Sequence, residues 1–320
     1  MINREIWPSP LQSNNKLDPL DLTYWKNLFT EQKLLSIEID ELICGYSGLV
    51  RTSAGKEYTG IDLRGIRRVA AEAGISVRES EIAALRLDII PVRYFRNIAS
   101  LGAVGQARLL SSSVSVVGAG GLGGLVIELL ARLGIGKITI IDGDRFAEDN
   151  LNRQVLCRED DLDRLKAEVG EQRVRAINSA IEVTSHPIFL TEENAVELLS
   201  DSQVVVDALD RISIRIVLEK VIGKLGIPMV HGAIGGFLGQ VATIMPGSNI
   251  LSDLYGGDAA ASARGIEAVL GTPTVTPAVI ASMEVMEVIK FLLDRGTPLK
   301  DEFLYLELEN AIFSRINLGR

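Results

Sequence analysis

From Ser113 onward, short β-branched runs alternate with amphipathic segments of helical length. Runs at Ser113–Val117, Lys137–Ile141, 181–184, 204–206, 229–230 and 240–244 are separated by helical patterns near 122–133, 165–177 and 213–225. Parallel strands need a long crossover between them, which a helix normally supplies. This order therefore predicts an α/β fold with a doubly wound, mostly parallel, Rossmann-like sheet.

The segments at either end of this core are less regular. Residues 1–90 lack the strand–helix alternation, and helical spacing at 61–73 and 80–90 predicts a small, mainly helical N-terminal module of unknown role. The core domain is then 91–320. Within it, a stretch rich in Gly, Ala and Ser at 247–276 predicts a mobile loop. Thr276 and Pro277 predict the start of a helix that runs to 293, and 303–308 predict a last strand.

Charge and cysteine content exclude several classes of protein. Lys and Arg number 33 against 42 Asp and Glu, and the net charge of −9 argues against general binding to nucleic acid or to anionic membranes. The two cysteines, Cys44 and Cys157, are too few for a disulfide framework and are predicted to be buried. A signal peptide and a long apolar run are both lacking, so a cytoplasmic location is expected.

A glycine-rich turn connects the first core strand to the next helix. It contains Gly118, Gly120, Gly121 and Gly123, where missing side chains let backbone N–H groups approach a phosphate. Asp142 ends the second strand, in the position of an acid that accepts hydrogen bonds from a ribose. Together these features indicate nucleotide binding, which a dehydrogenase using a nicotinamide cofactor would also need.

A dense polar segment after Asp142 distinguishes ATP from a nicotinamide. It includes Asp144, Asn150 and Arg153, and Lys166 follows at the start of the next helical pattern. Hydride transfer has no need of such a cluster. Cleavage beyond an α-phosphate does need cations, because charge builds on the transferring and leaving phosphates. Arg153 and Lys166 are candidates for that role, although a lysine on a helix is also commonly a surface residue.

At this point the sequence closely resembles the ThiF/MoeB/HesA family, the bacterial relatives of ubiquitin-activating enzymes, over about residues 92–312. The matching motifs are Arg93-Tyr94-Phe95-Arg96, Gly105-Gln106, the glycine turn, Asp142-Gly143-Asp144, Asn150-Leu151-Asn152-Arg153-Gln154, Lys166, Asp207-Ala208-Leu209-Asp210 with Arg215, and Gly239-Gln240. The resemblance implies an adenylyltransferase that uses ATP to activate the C-terminal glycine carboxylate of a ubiquitin-like sulfur-carrier protein ending in Gly-Gly, with release of pyrophosphate.

The resemblance also implies residue roles. Gly121 and Asp142 would hold the adenosine part of ATP, Asn150, Arg153 and Lys166 would hold the triphosphate, and Asp210 would bind Mg²⁺. The family forms a homodimer in which the residue matching Arg96 reaches the ATP of the partner subunit. Without the resemblance, Arg93 and Arg96 would be interpreted as solvated charges. Asp207 or Asp210 would be interpreted as the N-cap of the following helix.

Two family features are missing from the sequence. Many members carry two Cys-x-x-Cys pairs that bind zinc, whereas this chain has no such pair, so no zinc is expected. Some members also carry a loop cysteine, which would fall near Val269, where none is present. Activation as far as the adenylate is therefore predicted, and a covalent carrier–enzyme step through this loop is not.

Three other functions remain open at this stage: activation of a peptide C-terminus for a natural product, a non-catalytic scaffold subunit, and a nicotinamide oxidoreductase. Two single residues are also open. Cys157 is either a reactive thiol beside the nucleotide or a buried filler, and His231 either touches the carrier tail or is a hydrogen-bonded residue at the sheet edge.

Overall fold

The computed structural model describes residues 36–51, 55–256, 267–300 and 302–317. Its N-terminal part consists of helices α1 (36–46), α2 (Leu63–Ala73) and α3 (Val77–Arg86) and strands β1 (Gly48–Arg51), β2 (Glu57–Ile61) and β3 (Ile90–Pro91). The strands form a small sheet in the order β1-β2-β3. The described part of the N-terminal module is thus helical with a three-stranded sheet that the sequence pattern did not predict.

Within the described residues, the larger sheet has eight strands: β4 (Ser113–Val117), β5 (Lys137–Ile141), β6 (Glu182–His186), β7 (Val204–Asp207), β8 (Met229–Gly235), β9 (Leu238–Ile244), β10 (Glu302–Glu307) and β11 (Ile312–Asn317). Their order is β11-β10-β9-β8-β7-β4-β5-β6. The five strands from β6 to β8 are parallel, and β9, β10 and β11 add antiparallel pairs at one side. The predicted Rossmann-like α/β class is confirmed.

Helices cover both faces of the large sheet. They are α4 (Phe95–Leu110), α5 (Gly121–Leu133), α6 (Lys166–Ile177), α7 (Glu192–Leu199), α8 (Ile212–Leu225), α9 (Ile250–Tyr255), α10 (Glu267–Leu270) and α11 (Val275–Leu293). One buried apolar cluster joins the sheet to α5, α6 and α11, and a second joins it to α7, α8 and α9. Because both faces are covered, β7 is continuously apolar over 204–206, whereas β4 also carries Ser113 and Ser115 among its valines.

The strands and helices that were predicted for the core lie close to their expected positions, but α4 and α7 were not predicted, and further differences occur near the C-terminal end. The 247–276 stretch contains α9 and α10, so it is not wholly a loop. Helix α11 begins at Val275 with Thr274 as its N-cap, two residues before the predicted start, and β11 was not predicted. Among the residues that the structure describes, no helix combines the length and apolarity needed to span a membrane.

Tyr94 joins the N-terminal module to the core. Its ring is buried, its hydroxyl donates to Glu81 Oε2 at 3.1 Å, and Asn178 Nδ2 donates to the same hydroxyl at 2.9 Å. Arg93 forms an ion pair with Glu81 at 3.3 Å and donates a hydrogen bond to Asn178. The first arginine of the Arg-Tyr-x-Arg motif is therefore a structural residue, and the division of the chain near residue 90 stays a prediction.

Candidate active site

The glycine turn between β4 and α5 leaves no room for a side chain at two of its glycines, Gly118 and Gly123. Gly118 has φ +97°, and a Cβ on it would lie 2.6 Å from the carbonyl oxygen of Ala208. A Cβ on Gly123 would lie 1.8 Å from the carbonyl oxygen of Gly118. The turn therefore packs directly on the chain that leaves β7. The first N–H groups of a helix have no partner within the helix, so the start of α5 offers donors and a positive dipole end to an anion.

Asp142 is fixed beside this turn by two backbone groups. Ala119 N donates to Asp142 Oδ2 at 2.6 Å, and Asp144 N donates to Oδ1 at 2.8 Å. Burial raises the pKa of Asp142 above its ordinary value, although the two N–H groups and Lys166 act in the opposite direction. Each carboxylate oxygen can accept a further hydrogen bond, so Asp142 can still receive a ribose hydroxyl.

Lys166 is the first residue of α6 and its side chain is only 9% exposed. A lysine is unfavourable at a helix N-terminus, because the dipole end there is also positive. The carboxylate of Asp144 compensates with an ion pair to Lys166 Nζ at 3.4 Å, and Lys166 N donates to Asp144 O at 3.0 Å. Lys166 is thus not an ordinary surface lysine, since the fold holds its ammonium group beside Asp142 and Asp144.

The segment after β5 brings further polar groups to the glycine turn. Arg153 Cγ lies 3.7 Å from the position of a Cβ on Gly121, and Arg153 Nη1 donates to Asp149 O at 2.7 Å. Asn150 is buried and its Oδ1 accepts from Ala147 N at 3.2 Å, so it shapes the backbone here. The side chain of Arg153 therefore lies beside the glycine turn.

Gln154 is a site residue to which the sequence analysis assigned no role. It is buried, and its Nε2 lies 3.7 Å from the position of a Cβ on Gly120. Within the part of the chain that the structure describes, its Oε1 has no hydrogen-bond partner. The only signal in the sequence was its place in the Asn150–Gln154 motif.

A buried polar cluster lies under the turn that follows β7. Asp207 is fully buried, and its Oδ2 lies 2.7 Å from His231 Nδ1 and 3.6 Å from Arg215 Nε. Its Oδ1 accepts from Leu209 N at 3.1 Å. The alternative that Asp207 caps the next helix is wrong, because α8 begins at Ile212 and this carboxylate is used inside the core.

The protonation states of Asp207 and His231 follow from their surroundings. Burial acts to raise the pKa of Asp207, but the Arg215 charge and the His231 hydrogen bond outweigh it, so the pKa is lowered. Burial lowers the pKa of His231, and the hydrogen bond to Asp207 only partly opposes this. His231 is therefore neutral at pH 7 and donates its Nδ1 proton to ionised Asp207. Because it is fully buried, it is a hydrogen-bonded residue under the sheet edge and does not line the surface.

Asp210 is exposed at the end of the same turn. Arg215 donates to the carbonyl oxygens of Leu209 and Gly232, and to Tyr255 Oη at 3.2 Å. The turn before Asp210 is thereby tied to β8 and α9. An exposed carboxylate on a fixed turn suits Mg²⁺, which is usually bound by one or two carboxylates together with substrate phosphates.

The sheet register brings most of the predicted site together. Val117 pairs with both Ile141 and Asp207, so the glycine turn, Asp142 and the 207–210 turn leave three neighbouring strands at the same carboxyl edge. Ligands of open α/β sheets bind at this edge. Arg96 stands apart, since it lies exposed on α4, which packs against α3 and α11.

One of the two cysteines, Cys44, differs from expectation. Cys157 is buried, and burial raises the pKa of its thiol, so it is the predicted filler and is not activated. Cys44 is exposed on α1, so the prediction that it is buried was wrong. Within the described residues, no group of three or more His, Cys, Asp or Glu side chains is arranged to hold a metal ion.

The fold and this edge define a nucleotide-binding protein of the Rossmann-like class. The model of the ThiF family matches residues 94–320, and the chain belongs to that family. The adenylyltransferase class predicted from the sequence is confirmed, and with it the use of ATP.

Relatives include the SAMP-activating enzyme E1 of Haloferax volcanii, which is 36% identical over 226 residues, covering 70% of this chain and 84% of that protein. The sulfur carrier protein adenylyltransferase of Thermus thermophilus is 36% identical over 239 residues, covering 71% and 87%. The sulfur carrier protein ThiS adenylyltransferase of Bacillus subtilis is 36% identical over 211 residues, covering 62% and 60%.

Solved structures share the fold at lower identity. The crystal structure of E. coli MccB with ATP has a TM-score of 0.59 and 21% identity, covering 86% of this chain and 96% of that one. The structure of PaaA has a TM-score of 0.60 and 21% identity, covering 71% and 82%. The match to MccB covers a larger share of the chain than residues 94–320 make up, so the structural similarity extends into the N-terminal module.

Proposed function

We propose that this chain adenylylates the C-terminal glycine carboxylate of a ubiquitin-like sulfur-carrier protein of the ThiS or MoaD type. The relatives from Thermus thermophilus and Bacillus subtilis are named as sulfur carrier protein adenylyltransferases. The observation that carries the proposal is the placement of Lys166, whose ammonium is held beside Asp142 and Asp144 at the carboxyl edge of the sheet.

In the proposed reaction, a carboxylate oxygen of the carrier attacks the α-phosphorus of ATP. A bond forms between them, the bond from the α-phosphorus to the bridging oxygen breaks, and pyrophosphate leaves with the electron pair. Lys166 and Arg153 would neutralise the charge that builds on the phosphates, and Asp142 would orient the ribose. Asp210 would hold Mg²⁺ against the phosphates. No protein nucleophile is required.

Arg96 would act on the ATP of the partner subunit in a homodimer, as the family resemblance implies. Its exposed position on α4 supports this, since a residue that reaches a neighbouring subunit must lie at the surface. A cytoplasmic location and the lack of zinc remain part of this proposal.

The test is exchange of labelled pyrophosphate into ATP, measured with a panel of ThiS-type and MoaD-type carriers that end in Gly-Gly. We expect carrier-dependent exchange that falls about 10²–10³-fold in Lys166→Met, the loss typical when one group that stabilises developing charge is removed. Lys137→Met is the matched control, because Lys137 pairs with Asp201 and Glu182 at the opposite end of β5. Equal exchange in wild type and Lys166→Met would contradict the proposal.

A peptide C-terminus is the second candidate substrate. One observation favours it: the likeness to MccB reaches into the N-terminal module, and MccB has been solved in complex with MccA. The same exchange assay with peptides that have a free C-terminus separates the two substrates, because only the true acceptor releases pyrophosphate from ATP.

A further inference from the structure

Glu284 lies in the middle of α11 and is fully buried. Neither of its carboxyl oxygens has a hydrogen-bond partner within the described ranges of the chain. A Cβ on Gly232, in β8, would lie 2.4 Å from Glu284 Oε1 and 2.9 Å from Oε2. The carboxyl group therefore fills the space that a side chain at position 232 would take. An ionised carboxylate without partners is strongly unfavourable in such a place.

Arg215 meets the same glycine. Its Nη2 donates to Gly232 O at 3.3 Å and also to Leu209 O, within the turn that ends at Asp210. Arg215 is also the cation beside Asp207. The guanidinium of Arg215 thus holds the 207–210 turn and also contacts Gly232, against which the Glu284 carboxyl group packs.

The charged groups around Glu284 are few. Burial raises its pKa well above the ordinary value, Asp207 raises it further, and Arg215 acts in the opposite direction. Neutral His231 is adjacent to Gly232, and β9 contributes no titratable residue. Of the remaining charged side chains on the elements packed on α11, Glu287 is engaged with Thr243 and Lys290, Glu128 with Arg132 and Arg173, and Arg108 with the Leu293 carbonyl. Arg96, also on α4, lies exposed at the surface.

We propose that Glu284 is a positioning residue for the 207–210 turn, and that it supports the turn only as the neutral carboxylic acid. On ionisation, its carboxylate would compete with Asp207 and with the Leu209 carbonyl for the single guanidinium of Arg215. The turn would then lose its tie to β8, and Asp210 would lose its position. This inference rests on the proposed role of Asp210 in binding Mg·ATP.

The first test compares the unfolding of wild type, Glu284→Gln and Glu284→Met between pH 5 and pH 10. In the unfolded chain Glu284 ionises near the ordinary glutamate pKa of 4.5, whereas the folded protein keeps the proton to a higher pH. Wild type therefore loses stability relative to either variant as the pH rises from about 4.5 to the folded pKa. The ratio of the unfolding constants should change tenfold per pH unit in that window.

Glu287→Gln is the matched control on the same helix, and it should show no such growing advantage over wild type, because Glu287 already accepts hydrogen bonds from Thr243 and Leu299. If the difference in stability between wild type and Glu284→Gln stayed constant across the pH range, the inference that Glu284 is a neutral carboxylic acid in the folded protein would be wrong.

The second test measures binding of ATP in the presence of Mg²⁺ by calorimetry, from pH 7.5 to pH 10. Wild type should lose at least tenfold in affinity as the pH rises through the folded pKa of Glu284 that the unfolding test locates, and Glu284→Gln should hold its affinity. Parallel curves for the two proteins would overturn the positioning role. If neither protein bound ATP at any pH, the proposed function itself would fail, and the unfolding test would still decide the state of Glu284.

Discussion

Replacement of Asp207 by Asn tests the buried cluster directly. The substitution keeps the shape of the side chain but removes its charge, which leaves the guanidinium of Arg215, 7% exposed, without its counter-ion. Breaking a buried ion pair from one side typically costs about 3–5 kcal/mol, because the remaining charge stays desolvated. The hydrogen bond from His231 at 2.7 Å is also weakened, so we expect the upper part of that range.

Equilibrium denaturation in urea at pH 7.5 measures the change in the free energy of unfolding. Asp201→Asn is the control, because Asp201 pairs with Lys137 at 3.1 Å but its side chain is 78% exposed. An exposed pair contributes about 0–1 kcal/mol. If Asp207→Asn cost less than about 1 kcal/mol, the buried cluster would not hold the turn after β7, and the argument from Arg215 would be refuted.

Two further predictions concern the glycine turn and the subunit interface. In Gly123→Ala the new methyl group would meet the Gly118 carbonyl oxygen. We expect calorimetry to show lost ATP binding, and denaturation to show a free energy of unfolding lowered by about 1–3 kcal/mol. Gly105→Ala, with its nearest contact at 3.5 Å, should bind ATP normally. If Arg96 acts across a dimer, two inactive variants, Arg96→Ala and Lys166→Met, should complement each other when they are mixed and their subunits exchange. We expect about one quarter of wild-type pyrophosphate exchange, because half of the dimers are then hybrids and each hybrid has one intact site out of two. No recovery after proven exchange would place Arg96 in its own subunit's site or outside catalysis.

The sequence predicted the core well because its signals are local. Strands β4 and β5 matched their predicted bounds, since each is a short run rich in β-branched residues set between turns. Gly118 and Gly123 mark a turn where backbone segments touch, and Asp142 ends the adjacent strand. These positions depend on neighbours in sequence and on the fixed register of parallel strands, so pattern reasoning reaches them.

Other site features depend on contacts between distant segments. Asp207 and His231 are 24 positions apart, and only the pairing of β7 with β8 reveals that a hydrogen bond joins them. Glu284 lies in a helix whose other inward residues are mostly apolar, and nothing in its spacing shows that it fills the gap at Gly232. Likewise, β11 is an exposed edge strand with little apolar alternation, so the sequence carried no signal for it.

Glu287 joins the C-terminal strands of a chain whose sequence has no Cys-x-x-Cys pair. Its Oε2 accepts from Thr243 Oγ1 in β9 at 2.8 Å and from Leu299 N, before β10, also at 2.8 Å. Thr243 N in turn donates to Leu299 O at 2.8 Å. One buried carboxylate on α11 thus joins the end of β9 to the segment that leads into β10. A cross-link of this kind stabilises by hydrogen bonds to a charged group, each worth about 1.5–3 kcal/mol, and it needs no metal.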